Sequence, residues 1–132
     1  MNKKRLLIVD DSKAFLEFVR KVADGIGYDV ELAADGASFK KLYETFQPHT
    51  VMIDLIMPDI DGMELIQWLA ELDARARVIV VTGYSPEYAA LAKMLGEGKG
   101  LSTVKILTKP IKANDLRNAL MEEADDMLEE AE

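Results

Sequence analysis

"TVMIDLIMPDIDGMELI" (residues 50–66) holds a strand, a loop and the start of a helix in one short stretch. Val51, Met52 and Ile53 form an unbroken apolar run, the pattern of a strand covered on both faces. The run ends on Asp54. Pro58, Asp59, Asp61 and Gly62 follow, and then Met63, Ile66 and Leu69, with Leu65 and Leu72, recur at helical spacing. One βα unit is therefore predicted, and the carboxylate at its strand end needs an explanation.

The same unit repeats on both sides. "RLLIV" (5–9) and "RVIVV" (77–81) are further continuous runs, whereas "YDVELA" (28–33) alternates and "TVKIL" (103–107) is interrupted by Lys105. The last two suit sheet edges, where a charge discourages unwanted pairing. Between them lie helical stripes: Phe15, Val19, Val22 and Ile26, then Phe39, Leu42, Tyr43 and Phe46. "SPEY" (85–88) opens another helix, with Ser85 as cap and Pro86 at the first helical position, followed by Tyr88, Leu91 and Leu95. The last helix spans about 114–131 and carries Leu116, Leu120, Ala124, Met127 and Ala131.

Five βα units with short connections and right-handed crossovers predict an α/β fold over a single domain, residues 1–132. The architecture is three-layer αβα, a flavodoxin-like five-stranded parallel sheet of order 2-1-3-4-5. Ligands in such sheets bind at the carboxyl ends of the strands, near the switch point between the first and third.

Composition narrows the chemistry. There is no cysteine, and His49 is the only histidine, so thiolate zinc sites, cysteine nucleophiles and a Ser-His-Asp triad are excluded. The net charge is −8, of which −7 falls in residues 115–132. The remainder is near neutral, so no direct nucleic-acid binding by a basic face is expected. No apolar run reaches membrane-spanning length, and "MNKKR" leads into too few apolar residues for a signal peptide. A cytoplasmic protein without membrane contact is expected.

The strand ends converge on one rim. Asp10, Asp11 and Ser12 follow the first strand, Asp54 ends the third, Thr82 ends the fourth, and Lys109 and Pro110 follow the fifth. Singly these have plain readings: Asp10, Asp11 or Ser12 as a helix cap, Asp54 as a turn residue, Lys109 as a solvated lysine. Together they put three carboxylates on one edge, where they repel unless positive charge is supplied. Lys109 gives one such charge, and a divalent cation is the natural second. An all-oxygen set points to Mg²⁺ rather than zinc.

"VDDS" (9–12), "IDLIMPDIDGMELI" (53–66), "VVTGY" (80–84) and "LTKPI" (107–111), in this order, resemble the receiver domain of two-component response regulators of the chemotaxis-regulator type. The resemblance implies that Asp54 accepts a phosphoryl group from a phosphohistidine on a sensor histidine kinase or phosphotransfer protein. It implies Mg²⁺ (or Mn²⁺) held directly by Asp11, Asp54 and the backbone carbonyl of Ile56, with Asp10 acting through water. Thr82 would bond the phosphoryl group. Lys109 would pair with Asp54 when the site is empty, and Pro110 would follow a cis bond. Such a chain is not an enzyme in the ordinary sense: it catalyses its own phosphorylation and slow dephosphorylation. Its output, to an unknown protein or domain, runs through protein contacts.

Two features, Ile106 and the spacing before Lys109, depart from the family's pattern. Ile106 stands where the family usually has Tyr or Phe, which removes the ring from the usual switch. Twenty-seven positions separate Thr82 from Lys109, with the excess in "GEGKGLST" (96–103), expected as a mobile connection. Ile56 and Tyr84 flank the acceptor and are expected to hinder water and prolong the phosphorylated state. The acidic tail (121–132) is expected as a solvated, fraying helix end, and Trp68 as cover for a core edge. A hydrolase using an aspartyl phosphate would want an acid where Ile56 stands, and a nucleotide-binding module would want glycines after the first strand. A receiver cut from a longer regulator or hybrid kinase, or a degenerate receiver serving as an interaction module, are the alternatives.

Overall fold

The structure, a computed structural model, describes residues 3–55, 62–72, 74–83, 86–99, 101 and 104–121, with the backbone alone at 86, 88, 89 and 91. In chain order these are β1 (Lys4–Val9), α1 (Lys13–Gly25), β2 (Tyr28–Ala33), α2 (Gly36–Phe46), β3 (Thr50–Asp54), α3 (Gly62–Glu71), β4 (Arg77–Thr82), α4 (Pro86–Gly98) and β5 (Val104–Thr108). A fifth helix, α5, covers residues 113–121. Ser85, Pro58 and the tail beyond 121 lie outside the described residues.

All four strand pairings are parallel, and the order is β2-β1-β3-β4-β5, as the sequence pattern predicts. The continuous apolar runs are the three central strands. Alternation sorts their side chains between two cores. Leu7, Val9, Val51, Ile53, Val78 and Val80 face the layer of α2, α3 and α4, represented by Phe39, Leu65 and Ala92. Leu6, Ile8, Met52, Ile79 and Val81 face Leu16, Val19, Leu116 and Leu120 of α1 and α5. On the edge strand β2, Asp29 and Glu31 are exposed. No helix among the described residues is long and apolar enough to cross a membrane.

Two helix starts are set by side-chain caps, each worth about 1 kcal/mol. Ser12 Oγ accepts from the Phe15 N–H at 3.2 Å, and Asp35 Oδ1 from Ser38 N–H at 2.8 Å. The cap at α1 is thus Ser12, which frees Asp10 and Asp11 from that duty. Gly27, at φ 93°, makes the turn from α1 into β2.

The structure revises some expectations. Leu72, placed on the α3 stripe, follows the last residue of the helix and is 49% exposed. Trp68 does cover the core edge, packed edge-on to Tyr43 and Phe39 at 5.6 and 6.4 Å, with the Lys40 ammonium 5.5 Å from its ring. The 96–103 stretch is not simply a mobile connection. α4 runs through Gly98, and Leu101 is buried with its N–H bonded to Gly96 O at 3.0 Å. Gly96 suits this packing: a Cβ there would lie 3.1 Å from Leu101 and Val104 side-chain atoms. The Glu97 carboxylate accepts from Val104 N–H at 3.2 Å and ties the helix end to β5. Residues 100, 102 and 103 of that stretch lie outside the described residues.

Candidate functional site

The parallel register delivers the rim residues side by side. Asp54 pairs with Val81, one residue before Thr82, and Thr82 pairs with Thr108, one residue before Lys109. Asp54 shares its strand parity with Met52, and Asp10 continues the parity of Ile8, so both lie on the α1/α5 side. Thr82, of the parity of Val80, lies on the other side; it is buried, and its carbonyl accepts from the Lys109 N–H at 2.8 Å.

Asp10 is fully buried, and both carboxylate oxygens are engaged. Oδ1 accepts from the Ser12 N–H at 2.9 Å, and Oδ2 accepts from the Lys109 ammonium at 2.9 Å. Lys109 Nζ is also 3.6 Å from Asp54 Oδ2. The Asp54 pairing is the one that the resemblance implied, and the ammonium takes a second, shorter bond to Asp10. The physical reason is burial: the Asp10 side chain is 1% exposed against 10% for Asp54, and the more deeply desolvated charge gains more from a counterion. Burial alone would lower the Lys109 pKa. The bond to Asp10 and the charges of Asp10 and Asp54 outweigh it and hold the group above its usual value.

Asp11 is exposed. With Asp10 and Asp54 it can offer one oxygen each, all within 4.8 Å of one another. Three carboxylate oxygens so placed form a hard donor set, which suits Mg²⁺ or Mn²⁺ and not a thiophilic metal. The Lys109–Pro110 bond is cis. Ile56 and Tyr84 lie outside the described residues.

Gly62 fixes the return of the chain beneath Asp54. Its N–H donates to Leu55 O at 3.0 Å, and a Cβ there would collide with the Asp54 carbonyl oxygen. Only glycine lets the start of α3 come this close to the strand that carries the carboxylate. Ile106 is partly buried against the α2–α4 core, a branched aliphatic with no ring to rotate. A residue that sequence reasoning treated as core turns out to belong to the rim: the Phe15 ring lies with its centroid 4.3 Å from Lys109 Nζ. Its place on the first turn after the acidic pair was the available signal.

The sequence profile of the response regulator receiver domain matches residues 6–121. The photosynthetic apparatus regulatory protein RegA of Rhodobacter capsulatus is 32% identical over 118 residues, covering 89% of this chain and 61% of that protein. This chain thus spans about three fifths of that relative's length. Sporulation initiation phosphotransferase F of Bacillus subtilis is 28% identical over 91% of this chain and 93% of its own length. Among solved structures, a CheY-like response regulator receiver domain protein from Methanospirillum hungatei superposes with a TM-score of 0.83 at 27% identity, covering 98% of this chain and 99% of that one. Profile, relatives and fold agree with the acidic rim: the chain belongs to the response regulator receiver domain family of two-component signalling.

Proposed function

We propose that this receiver takes a phosphoryl group on Asp54 from the phosphohistidine of a sensor histidine kinase or phosphotransfer protein, and that loading changes which proteins it contacts. One observation carries the reading. Among the described residues, the Asp10, Asp11 and Asp54 oxygens converge within 4.8 Å with one ammonium between two of them, a formal excess of negative charge.

Phosphoryl transfer asks a protein mainly to align the partners and neutralise oxygen charge. Asp11 and Asp54, with the Ile56 carbonyl that the family pattern supplies, would hold Mg²⁺, and Asp10, whose oxygens are both engaged, would act less directly. The ion would contribute positive charge to the phosphoryl oxygens. An Asp54 oxygen attacks phosphorus, the P–N bond breaks, and its electron pair returns to the partner's imidazole. Lys109 follows the new charge from Asp10 and Asp54 to a phosphoryl oxygen, and Thr82 donates a hydrogen bond. The leaving histidine belongs to the partner, so the chain needs none of its own there. It turns over no separate substrate and would work in the cytoplasm.

With Ile106 in place of a ring, we infer that the loaded state is read through backbone movement of the segment 82–86, which the Lys109 N–H to Thr82 O bond joins to β5. A receiver serving as one part of a longer regulator is the second reading, favoured by the three-fifths coverage of RegA. Incubation with acetyl phosphate and Mg²⁺, followed by intact-mass measurement, tests the proposal. Wild type should gain one phosphoryl group, whereas Asp54→Ala, or wild type with EDTA, should gain none. A wild-type mass that never changes would remove the proposal.

A further inference from the structure

We infer that Phe15 is a positioning residue for the Lys109 ammonium, holding it where it can pass from Asp10 to a phosphoryl group on Asp54. The inference rests on the reading of Asp54 as phosphoryl acceptor.

Among the described residues, Lys109 Nζ lies near Asp10 Oδ2 at 2.9 Å, Asp54 Oδ2 at 3.6 Å and the Phe15 ring centroid at 4.3 Å. Two carboxylates compete for it, and in this state Asp10 has the shorter bond. A lysine has many rotamers, so something must confine it during a hand-over. An aromatic face attracts an ammonium through its quadrupole. It does so without adding an anion to a rim that already carries three carboxylates. A carboxylate in Phe15's place would compete with the phosphoryl group, and an aliphatic chain would offer no attraction. The ring itself is fixed: the Phe15 N–H is held by the Ser12 cap, Phe18 lies 6.2 Å away, and both rings pack on the α1/α5 core.

Phosphorylation by acetyl phosphate at saturating Mg²⁺ should be about three- to tenfold slower in Phe15→Leu, the range a partly desolvated cation–π contact supports. Phe15→Tyr, which keeps the π face, should restore the rate to within about twofold. Phe46→Leu, on the opposite face of the sheet, should leave it unchanged. A second measurement needs no phosphorylation. In spectra of labelled lysines, the methylene next to the Lys109 ammonium should resonate upfield under the ring current, lose that shift in Phe15→Leu and keep it in Phe15→Tyr. Should Phe15→Leu not fold, Phe15→Met takes its place. An unshifted Lys109 in the wild type would overturn the inference, as would a wild-type rate in a folded variant lacking the ring. A wild type that accepts no phosphoryl group would instead end the proposed function, and the spectrum would still decide whether the contact exists.

Discussion

At the carboxyl end of the sheet, Asp10 and Asp54 are buried with one ammonium between them and exposed Asp11 beside them. At the amino end, the half-buried His49 and Arg5 are joined to backbone. The His49 N–H donates to Arg5 O at 2.9 Å, Arg77 N–H donates to His49 O at 2.8 Å, and Arg5 N–H donates to the His49 ring at Nδ1, 3.0 Å away. Arg5 Nε donates to the Gln47 carbonyl at 3.0 Å, the residue that ends α2 in the left-handed region. Around His49 these acceptors are neutral. The other rim, among the described residues, gathers three carboxylates around one lysine, and an excess of that kind can do chemistry. Burial of a polar group is common to both ends and does not distinguish them; the partner does.

Removing Lys109 should break this comparison most severely. In Lys109→Met, Asp10 loses its 2.9 Å partner while remaining buried, so stability should fall by about 2–3 kcal/mol, the scale of a lost hydrogen bond to a charged group. Phosphorylation should slow by about a hundredfold, the order seen when one preorganised donor is removed from a charged transition state. The same variant sharpens the point about Mg²⁺. With the ammonium gone, the three carboxylates repel more strongly, and the rise in melting temperature on adding Mg²⁺ should exceed that of the wild type. If Mg²⁺ stabilises both equally, the rim is not charge-limited.

Much of this was legible in the sequence because burial on both faces leaves a direct trace. Val51–Ile53 and Val78–Val81 could only be central strands, and Lys105 marked an edge. Asp10, Asp11, Asp54, Thr82 and Lys109 were found because strand ends are countable positions and parallel strands send them to one rim. Which carboxylate takes the ammonium was not countable: that depends on the relative burial of Asp10 and Asp54, a property of packing. The role of Phe15 was hidden for a related reason, since an aromatic on a helical stripe reads as core until its ring is seen over a charge. In the Gly-rich 96–103 stretch, residues 96–98 belong to α4, although glycine signals a loop. Gly96 is instead a helical residue that permits close packing against Leu101 and Val104.

The amino rim holds one exception to its own rule. Thr50 is fully buried, and among the described residues its Oγ1 has no hydrogen-bond partner. Thr50→Val keeps the shape and removes the unsatisfied hydroxyl, so it should stabilise the fold by about 1 kcal/mol. Urea denaturation checks this, and phosphorylation of Asp54 should be unchanged because the site is at the far end of β3. A loss of stability would mean that the hydroxyl is satisfied after all.

The smallest expected effect concerns His49. Its pKa is lowered from 6.5, first by burial and then by the charges of Arg5 and Lys4, and its Nδ1 is already occupied as an acceptor. Protonation would place an N–H against the Arg5 N–H. Because the folded pKa lies below the unfolded one, the unfolded chain binds more protons between the two values, and stability rises with pH across that window. The contribution is therefore complete above about pH 7.5 and is lost as the pH falls through 6.5 toward the folded value. Asp35, whose pKa is lowered from 3.8 by its bond to Ser38 N–H, is lost only in more acidic solution and does not overlap. Urea unfolding at pH 7.5 and 5.5 should show a decrease for wild type larger than that for His49→Asn. The excess belongs to the amino rim alone, so initial phosphorylation rates at the two pH values should change by the same factor in both proteins. If the two stability curves run parallel, the imidazole is not held as a neutral acceptor, and the contrast between the rims would lose its best-defined member.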